Sequence, residues 1–454
     1  MPSRQDQLHS YQFTVQRVVS ALVMRDTDPA QAPFKRAAGA TLASVLLAVV
    51  IAAGFGVYGV FSGRGDTKWK ADGTVVVEEK SGAHFVYREG RLYPALNLTS
   101  ALLASGVPAP KIVTVARKSL VDVPRGLTVG IADLPDSLPD PGTLLGLPWS
   151  VCAAGDGAKP TSVLVVGDTS MTGNGRAMGG EEALFVRAAD RRYLLWHGRL
   201  YDADADELAA LAGGAQPLAV PVAFVNGMPK GQPLDAPRVA DPGKASSVRG
   251  LTNGQVIKIK GLDGKTSQYA VVQPDGLAMV TQVQAALALG RYRAGREIEI
   301  NQTELAEYDG SPANLVPNRD DPRQPPATMP TIASYAPGAL CAVIRDDQGG
   351  IEVRAEVILN LSSLIATVAR SAEGGSYADY VLVQPGRGAI VASGTTLSLV
   401  TDQGVRYDAA RPDVLPMLGY ANPVPLRLPS ALVDLLPPGP GLDPQAASAQ
   451  LALG

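Results

Sequence analysis

His84 to Gly106 reads HFVYREGRLYPALNLTSALLASG, a β-type run, a turn glycine at Gly90, a tyrosine three residues later, and a short amphipathic helix closed by a second glycine. A tight hairpin turn needs positive φ, which glycine supplies without steric cost, and the residue three places on is expected to return to the strand's buried face. The same order recurs at YLLWHGRLYDADADELAALAG with Gly198 and Tyr201, at QYAVVQPDGLAMVTQVQAALALG with Gly276 and Met279, and at LSLVTDQGVRYDAARPDVLPMLG with Gly404 and Tyr407. The spacing of the four glycines is uneven, which excludes a regular solenoid and predicts insertions between repeats.

Two insertions carry the only cysteines. Cys152 lies in the stretch between the first and second repeats and Cys341 in the stretch between the third and fourth. In an oxidising space one such pair is most simply a disulfide, and in a cytosolic domain it is two buried thiols. A bridge would staple both insertions into one central subdomain flanked by repeats, contributing about 4 to 5 kcal/mol through the long loop it closes. After Tyr420 the chain turns proline-rich, with Pro423, Pro425, Pro429, Pro437, Pro438, Pro440 and Pro444. Such a tail is stiff and unfit for a sheet interior, and the apolar LPSALVDLLPPGP within it favours wrapping a neighbour over floating free.

Before the repeats, Ala37 to Phe61 reads AAGATLASVLLAVVIAAGFGVYGVF, an uncharged run of 25 residues, long enough for the roughly 30 Å hydrocarbon core of a bilayer and too long for a signal-peptide h-region. Arg4, Arg17, Arg25, Lys35 and Arg36 precede it, against Arg64, Lys68 and Lys70 after it, so the N-terminus is expected in the cytosol and the bulk of the chain outside the membrane. Leu8, Tyr11, Val15, Val18, Val19 and Leu22 recur at three- and four-residue steps and predict an amphipathic helix that ends near Asp28-Pro29 and lies on lipid or docks on a partner.

The 454 residues suffice for several cores; 48 glycines and 36 prolines favour short elements and many turns, and a net charge of −3 without a basic block leaves no nucleic-acid footprint. The expected fold class is α+β, β-rich: a single N-terminal transmembrane helix, then an elongated extracytoplasmic domain of four degenerate ββ(β)α repeats around a central β subdomain. The expected divisions are a cytosolic arm over 1–36, the span over 37–61, repeat one over 62–109, the central subdomain over 110–178 and 292–373, repeat two over 179–214, a linker over 215–250, repeat three over 251–291, repeat four over 374–422 and the tail over 423–454.

Motifs for chemistry are thin. GLDGKT over 261–266 resembles a phosphate loop, but Ile259 stands where that loop needs a glycine, and the flanking runs VIKIK and QYAVV make Asp263-Gly264 a hairpin turn. Asp202, Asp204 and Asp206 have the spacing of the first calcium-loop ligands, yet Glu207 occupies the glycine position, and the carboxylates better suit the start of a helix. The three histidines, His9, His84 and His197, fall in no catalytic motif. No catalytic residue, cofactor or metal ligand is therefore assigned.

The arm SRQDQLHSYQFTVQRVVSALVMRDTDP, the single span, GRLYPALNLTSALLASG, the segments PDGLAMV and QGVRYD, and the widely separated cysteines together resemble the EccB component of actinobacterial type VII (ESX) secretion systems, through most of the chain. The resemblance implies a subunit that builds a membrane channel with EccC, EccD and EccE, self-associates through its periplasmic domain, and carries four repeats around a subdomain linked by Cys152 and Cys341. It also implies that Tyr11, Phe13, Arg17, Val18 and Leu22 contact cytosolic parts of EccC or EccD. Scaffolding is the leading expectation. ATP hydrolysis, described for some members, and cell-wall binding are the alternatives.

Overall fold

The computed structural model describes residues 3–24, 33–62, 69–155, 159–168, 170, 172–202, 204–317, 321–346, 350–359 and 376–451. They form two compact units, one of residues 1–71, 77–82 and 113–123, the other of 72–76, 83–112 and 124–454. The first contains helices α1 (Arg4–Met24) and α2 (Pro33–Ser62).

A small mixed sheet follows, with β1 (Thr74–Glu78), β2 (His84–Arg88), β3 (Arg91–Ala95), helix α3 (Leu98–Ser105) and β4 (Ile112–Val115) in the order β3-β2-β1-β4. Glu89 at φ 52° and Gly90 at φ 76° form the two-residue loop between the paired Arg88 and Arg91, a type I′ geometry whose twist matches that of the strands. The Asn97 side chain accepts from Ser100 N to start α3, and Gly106 at φ 69° ends it. The chain next lays down β5 (Trp149–Ala154), β6 (Thr161–Val166) and β7 (Arg176–Ala177), which belong to a different sheet.

The second repeat comprises β8 (Glu182–Ala188), β9 (Arg191–Trp196), β10 (Arg199–Asp202), α4 (Ala205–Ala212) and β11 (Leu218–Ala219), followed by α5 (Val222–Gly227). The third comprises β12 (Val256–Lys260), β13 (Ser267–Gln273), β14 (Gly276–Val280), α6 (Gln282–Tyr292) and β15 (Ile298–Asn301), followed by α7 (Gln302–Leu305). After β16 (Thr331–Ile332), β17 (Ala339–Ile344), β18 (Ile351–Val357) and β19 (Tyr380–Leu382) comes the fourth: β20 (Ala389–Ser393), β21 (Thr396–Val400), β22 (Arg406–Asp408), α8 (Val414–Met417) and β23 (Leu426–Arg427), then α9 (Ser430–Val433) and α10 (Pro444–Ser448).

The repeating unit is thus longer than the ββ(β)α expected. A strand returns after each helix to the edge of its own sheet; β11 runs parallel to β8, β15 to β12 and β23 to β20. With only two residues in β11 and in β23, these strands have no alternation to read in the sequence.

The central sheet has the order β19-β6-β5-β17-β18-β7 and draws its strands from both sides of repeats two and three. Its middle strands WSVCAA and ALCAVI are buried throughout, because both faces are covered. Side chains alternate: Trp149, Val151, Leu340 and Ala342 face the largest core with Phe224, Leu432 and Leu435, while Cys152, Val163, Cys341 and Val343 form a separate cluster.

Two stretches behave differently from expectation. The segment 215–250, expected as a linker, supplies Phe224 at 0% and Val225 at 4% exposure to the main core. Its helix is too short to display a helical period. The proline-rich tail wraps its own chain: β23 takes an edge position that a proline-flanked strand tolerates, Leu432, Val433, Leu435 and Leu436 enter the main core, and Leu442 and Ala447 enter the core shared by repeats one and four.

Candidate functional site

On α1 the five residues expected to dock a partner fall on two faces. At about 100° per residue, Tyr11, Val18 and Leu22 share a line with exposed Leu8 and Val15, whereas Phe13 and Arg17 lie on the opposite side. Tyr11 is 71% and Leu22 77% exposed, high values for large apolar groups. On α2, whose backbone is helical for 30 residues, the described side chains over 39–55 are all exposed, including Leu42, Leu46, Val50 and Phe55. Among the described residues no helix is long and apolar enough to cross a membrane. The expected span extends beyond 39–55 on both sides, onto side chains outside the described set.

Cys152 and Cys341 are directly opposed on β5 and β17 and joined by a disulfide, with their Cα atoms 4.0 Å apart and 189 residues apart in sequence. Both are fully buried.

Three of the four repeat glycines have left-handed backbone in their turns: Gly90 at φ 76°, Gly198 at φ 69° beside His197 at φ 48°, and Gly404 at φ 70°. Gly276 differs. It opens β14, paired with Gln273 across Pro274-Asp275, so the count to the buried tyrosine position shifts by one. Tyr93, Tyr201 and Tyr407 are buried, but Met279 is 38% exposed, and Ala278, at 0%, occupies the equivalent place.

Sequence reading missed what those tyrosines pack on. A strap downstream of each repeat forms a parallel bridge with the third strand: Arg125 with Leu92, Lys230 with Leu200, Gly310 with Leu277 and Pro438 with Arg406. The next strap residue, Gly126, Gly231 or Gly439, lies flat against the tyrosine ring; a Cβ at Gly231 would sit 2.1 Å from Tyr201 Cε1. In repeat three the equivalent positions hold Ala278 and Ser311, a smaller strand residue and a larger strap residue, and Ser311 Oγ donates to Asp275 Oδ1 at 2.7 Å. The signal was present as Pro-Arg-Gly, Pro-Lys-Gly and Pro-Pro-Gly, although proline and glycine in a loop did not by themselves indicate a long-range contact. Arg125 and Lys230 also place their cations over Phe85 and Tyr193, at 4.7 Å and 4.8 Å.

The acidic triplet of repeat two is divided among separate ion pairs. Asp202 pairs with Arg191, Asp204 with Arg291 at 3.2 Å, and Asp206 with Arg293 at 2.9 Å. Asp204 is the N-cap of α4, and its backbone N–H donates to Glu207 Oε2. Among the described residues no His, Cys, Asp and Glu cluster could hold a metal ion. GLDGKT closes the antiparallel β12–β13 hairpin, where Asp263 Oδ1 accepts from Lys265 N and Thr266 N. No helix follows that turn to cradle a phosphate.

Two clefts flank His197. One, of about 330 Å³, lies against Trp196, Glu182 and Ile351; the other, of about 540 Å³, is lined by Arg199 and Tyr201 of repeat two and by residues among 316–317 and 321–328.

A family model described as Type VII secretion system ESX-1, transport TM domain B matches residues 1–452. The chain is 26% identical to the ESX-3 secretion system ATPase EccB3 of Mycobacterium tuberculosis, across 96% of this chain and 87% of that protein. It is 29% identical to the ESX-5 secretion system ATPase EccB5 of Mycobacterium marinum, across 70% of this chain and 68% of that protein. A chain in the structure of an intact ESX-5 inner membrane complex superposes with a TM-score of 0.63 at 24% identity, covering 100% of this chain and 96% of that one. A chain in the structure of the EccB3 dimer from the ESX-3 core complex gives 0.62 at 23% identity, covering 84% and 100%. These two share the fold. Since the family match takes in the N-terminal helices, all four repeats and both cysteines, the chain belongs to the EccB family of type VII secretion systems.

Proposed function

We propose that this chain is a membrane-anchored structural subunit of a type VII (ESX) secretion complex, with α2 crossing the membrane, α1 in the cytosol, and the disulfide-linked body outside. The observation that carries the reading is a pair of helices that expose most of their described large apolar side chains, on a chain matched over residues 1–452 by the secretion family. An all-round apolar helix is stable where lipid or other helices cover it. The uncharged run from Ala37 to Phe61 is long enough for lipid. The body offers surfaces to other subunits, EccC, EccD and EccE by family analogy, and to a second copy, in line with the EccB3 dimer seen in a relative.

A tagged copy purified in mild detergent is expected to bring down the other membrane subunits, and replacing Tyr11, Val18 and Leu22 together with Asp to abolish that recovery while the body still folds. Recovery unchanged by the triple substitution would exclude docking through this face. Protease added to intact spheroplasts should remove the repeats and spare α1; protection of the repeats would overturn the orientation.

ATP hydrolysis is a second reading, favoured by the word ATPase in the relatives' names. Purified chain showing turnover that a single substitution eliminates would establish it. Against it stands the GLDGKT hairpin, whose strand-to-strand setting lacks the helix N-terminus that phosphate loops use.

A further inference from the structure

The larger of the clefts beside His197, about 540 Å³, has the size of a small-ligand site and a lining of unusual chemistry. Arg199, the first residue of β10, lines it half-buried, and among the described residues its guanidinium has no hydrogen-bond or ion-pair partner. The carboxylate in the described lining, Asp321, is already engaged: Arg323 Nη2 and Nε donate to it at 2.9 and 3.0 Å and keep it ionised down to about pH 2. Among the described residues, the charge left uncompensated in this lining is therefore the Arg199 cation. A planar five-donor fork held partly out of water is a poor resting state, and a carboxylate is the group that matches it with two parallel hydrogen bonds.

Pro317, Pro322, Pro325 and Pro326 line the same cleft. Proline contributes a carbonyl acceptor and no N–H donor, so this proline wall is apolar surface without backbone donors. A ligand that fits both sides carries one anionic end and N–H donors along its length. A phosphate ester fits less well, since the prolines offer no N–H donor to its further acceptor oxygens.

We propose that this cleft binds the carboxyl end of a short extended peptide, with the terminal carboxylate on Arg199 and the peptide N–H groups directed at the proline wall. Nothing in this assignment depends on the chain's role in a secretion complex.

Isothermal titration calorimetry on the full chain in detergent, with N-acetyl-trialanine as the free acid and as the C-terminal amide, tests the proposal on the unmodified protein. The free acid is expected to bind tighter by about tenfold or more, the value of a charge-assisted hydrogen-bond pair. Arg199→Gln should erase that preference, and Arg192→Gln, which removes an exposed guanidinium on β9 outside the cleft, should leave it intact. Equal affinity for acid and amide, absence of binding by either, or a preference that survives Arg199→Gln would each overturn the proposal. The acid-to-amide comparison holds even if a variant fails to fold.

Discussion

Single residues decide how the repeats close. Gly126, Gly231 and Gly439 are glycines because a ring occupies the space of a Cβ, and the three rings are the buried Tyr93, Tyr201 and Tyr407. Gly231→Ala is expected to destabilise the chain by about 2 kcal/mol, the usual cost of overpacking, whereas Ser311→Ala at the equivalent place in repeat three should stay within about 1 kcal/mol. Urea titrations of the two variants compare the effects directly, and equal losses would show that the strap glycine serves some other purpose. Lys230, between these features, donates to Val225 O at 2.8 Å, and desolvation, helped by the charge on Arg191, brings its pKa from 10.5 down to about 8 against the pull of Asp202. Between those values the unfolded chain binds more protons than the folded one, so the stability contributed by this group rises with pH across that window, and below about 8 the desolvation cost is fully present. With the side chain substantially exposed the effect is about 1 kcal/mol or less. The denaturation midpoint of wild type relative to Lys230→Met should rise between pH 7 and pH 10; a gap that does not change with pH would contradict it.

Among the elements, α4 and α6 couple repeats two and three. Leu208 and Leu211 share a core with Val283 and Leu287, and Gly290 lets the backbones approach, since a Cβ there would lie 3.1 Å from Ala210 Cβ and 3.2 Å from Asp206 O. The flanking Arg291–Asp204 and Arg293–Asp206 pairs are exposed and contribute little. Gly290→Leu is therefore expected to cost more than about 2 kcal/mol and Arg291→Gln less than about 1 kcal/mol, as read by thermal melting. The reverse ranking would mean that charge, rather than backbone approach, holds the repeats together. Repeats one and four are joined by a shared core, where Tyr93 and Leu103 meet Ile390, Leu399 and Tyr407, and α10 packs on α3.

Over the whole molecule, the Cys152–Cys341 bridge closes a loop that contains repeats two and three. Loss of a crosslink spanning 189 residues is expected to destabilise the fold by about 5 kcal/mol in the chain-entropy account. Cys152→Ser paired with Cys341→Ser, melted beside the oxidised wild type, measures this, and an unchanged melting temperature would remove the bridge from the list of stabilising features. Much of this architecture was legible beforehand. Hairpin turns, helix caps and the apolar N-terminal run are written in short-range patterns, because positive φ, capping hydrogen bonds and side-chain periodicity depend on residues a few places apart. The strand added after each helix, the straps against the tyrosines, the burial of 215–250 and the tail folded onto its own chain were not legible. Each depends on contacts between distant residues in which a glycine, a two-residue strand or a proline-rich loop acquires its role from the surface it meets, and the guanidinium of Arg199, without a hydrogen-bond or ion-pair partner among the described residues, stands out only once the groups around it have found theirs.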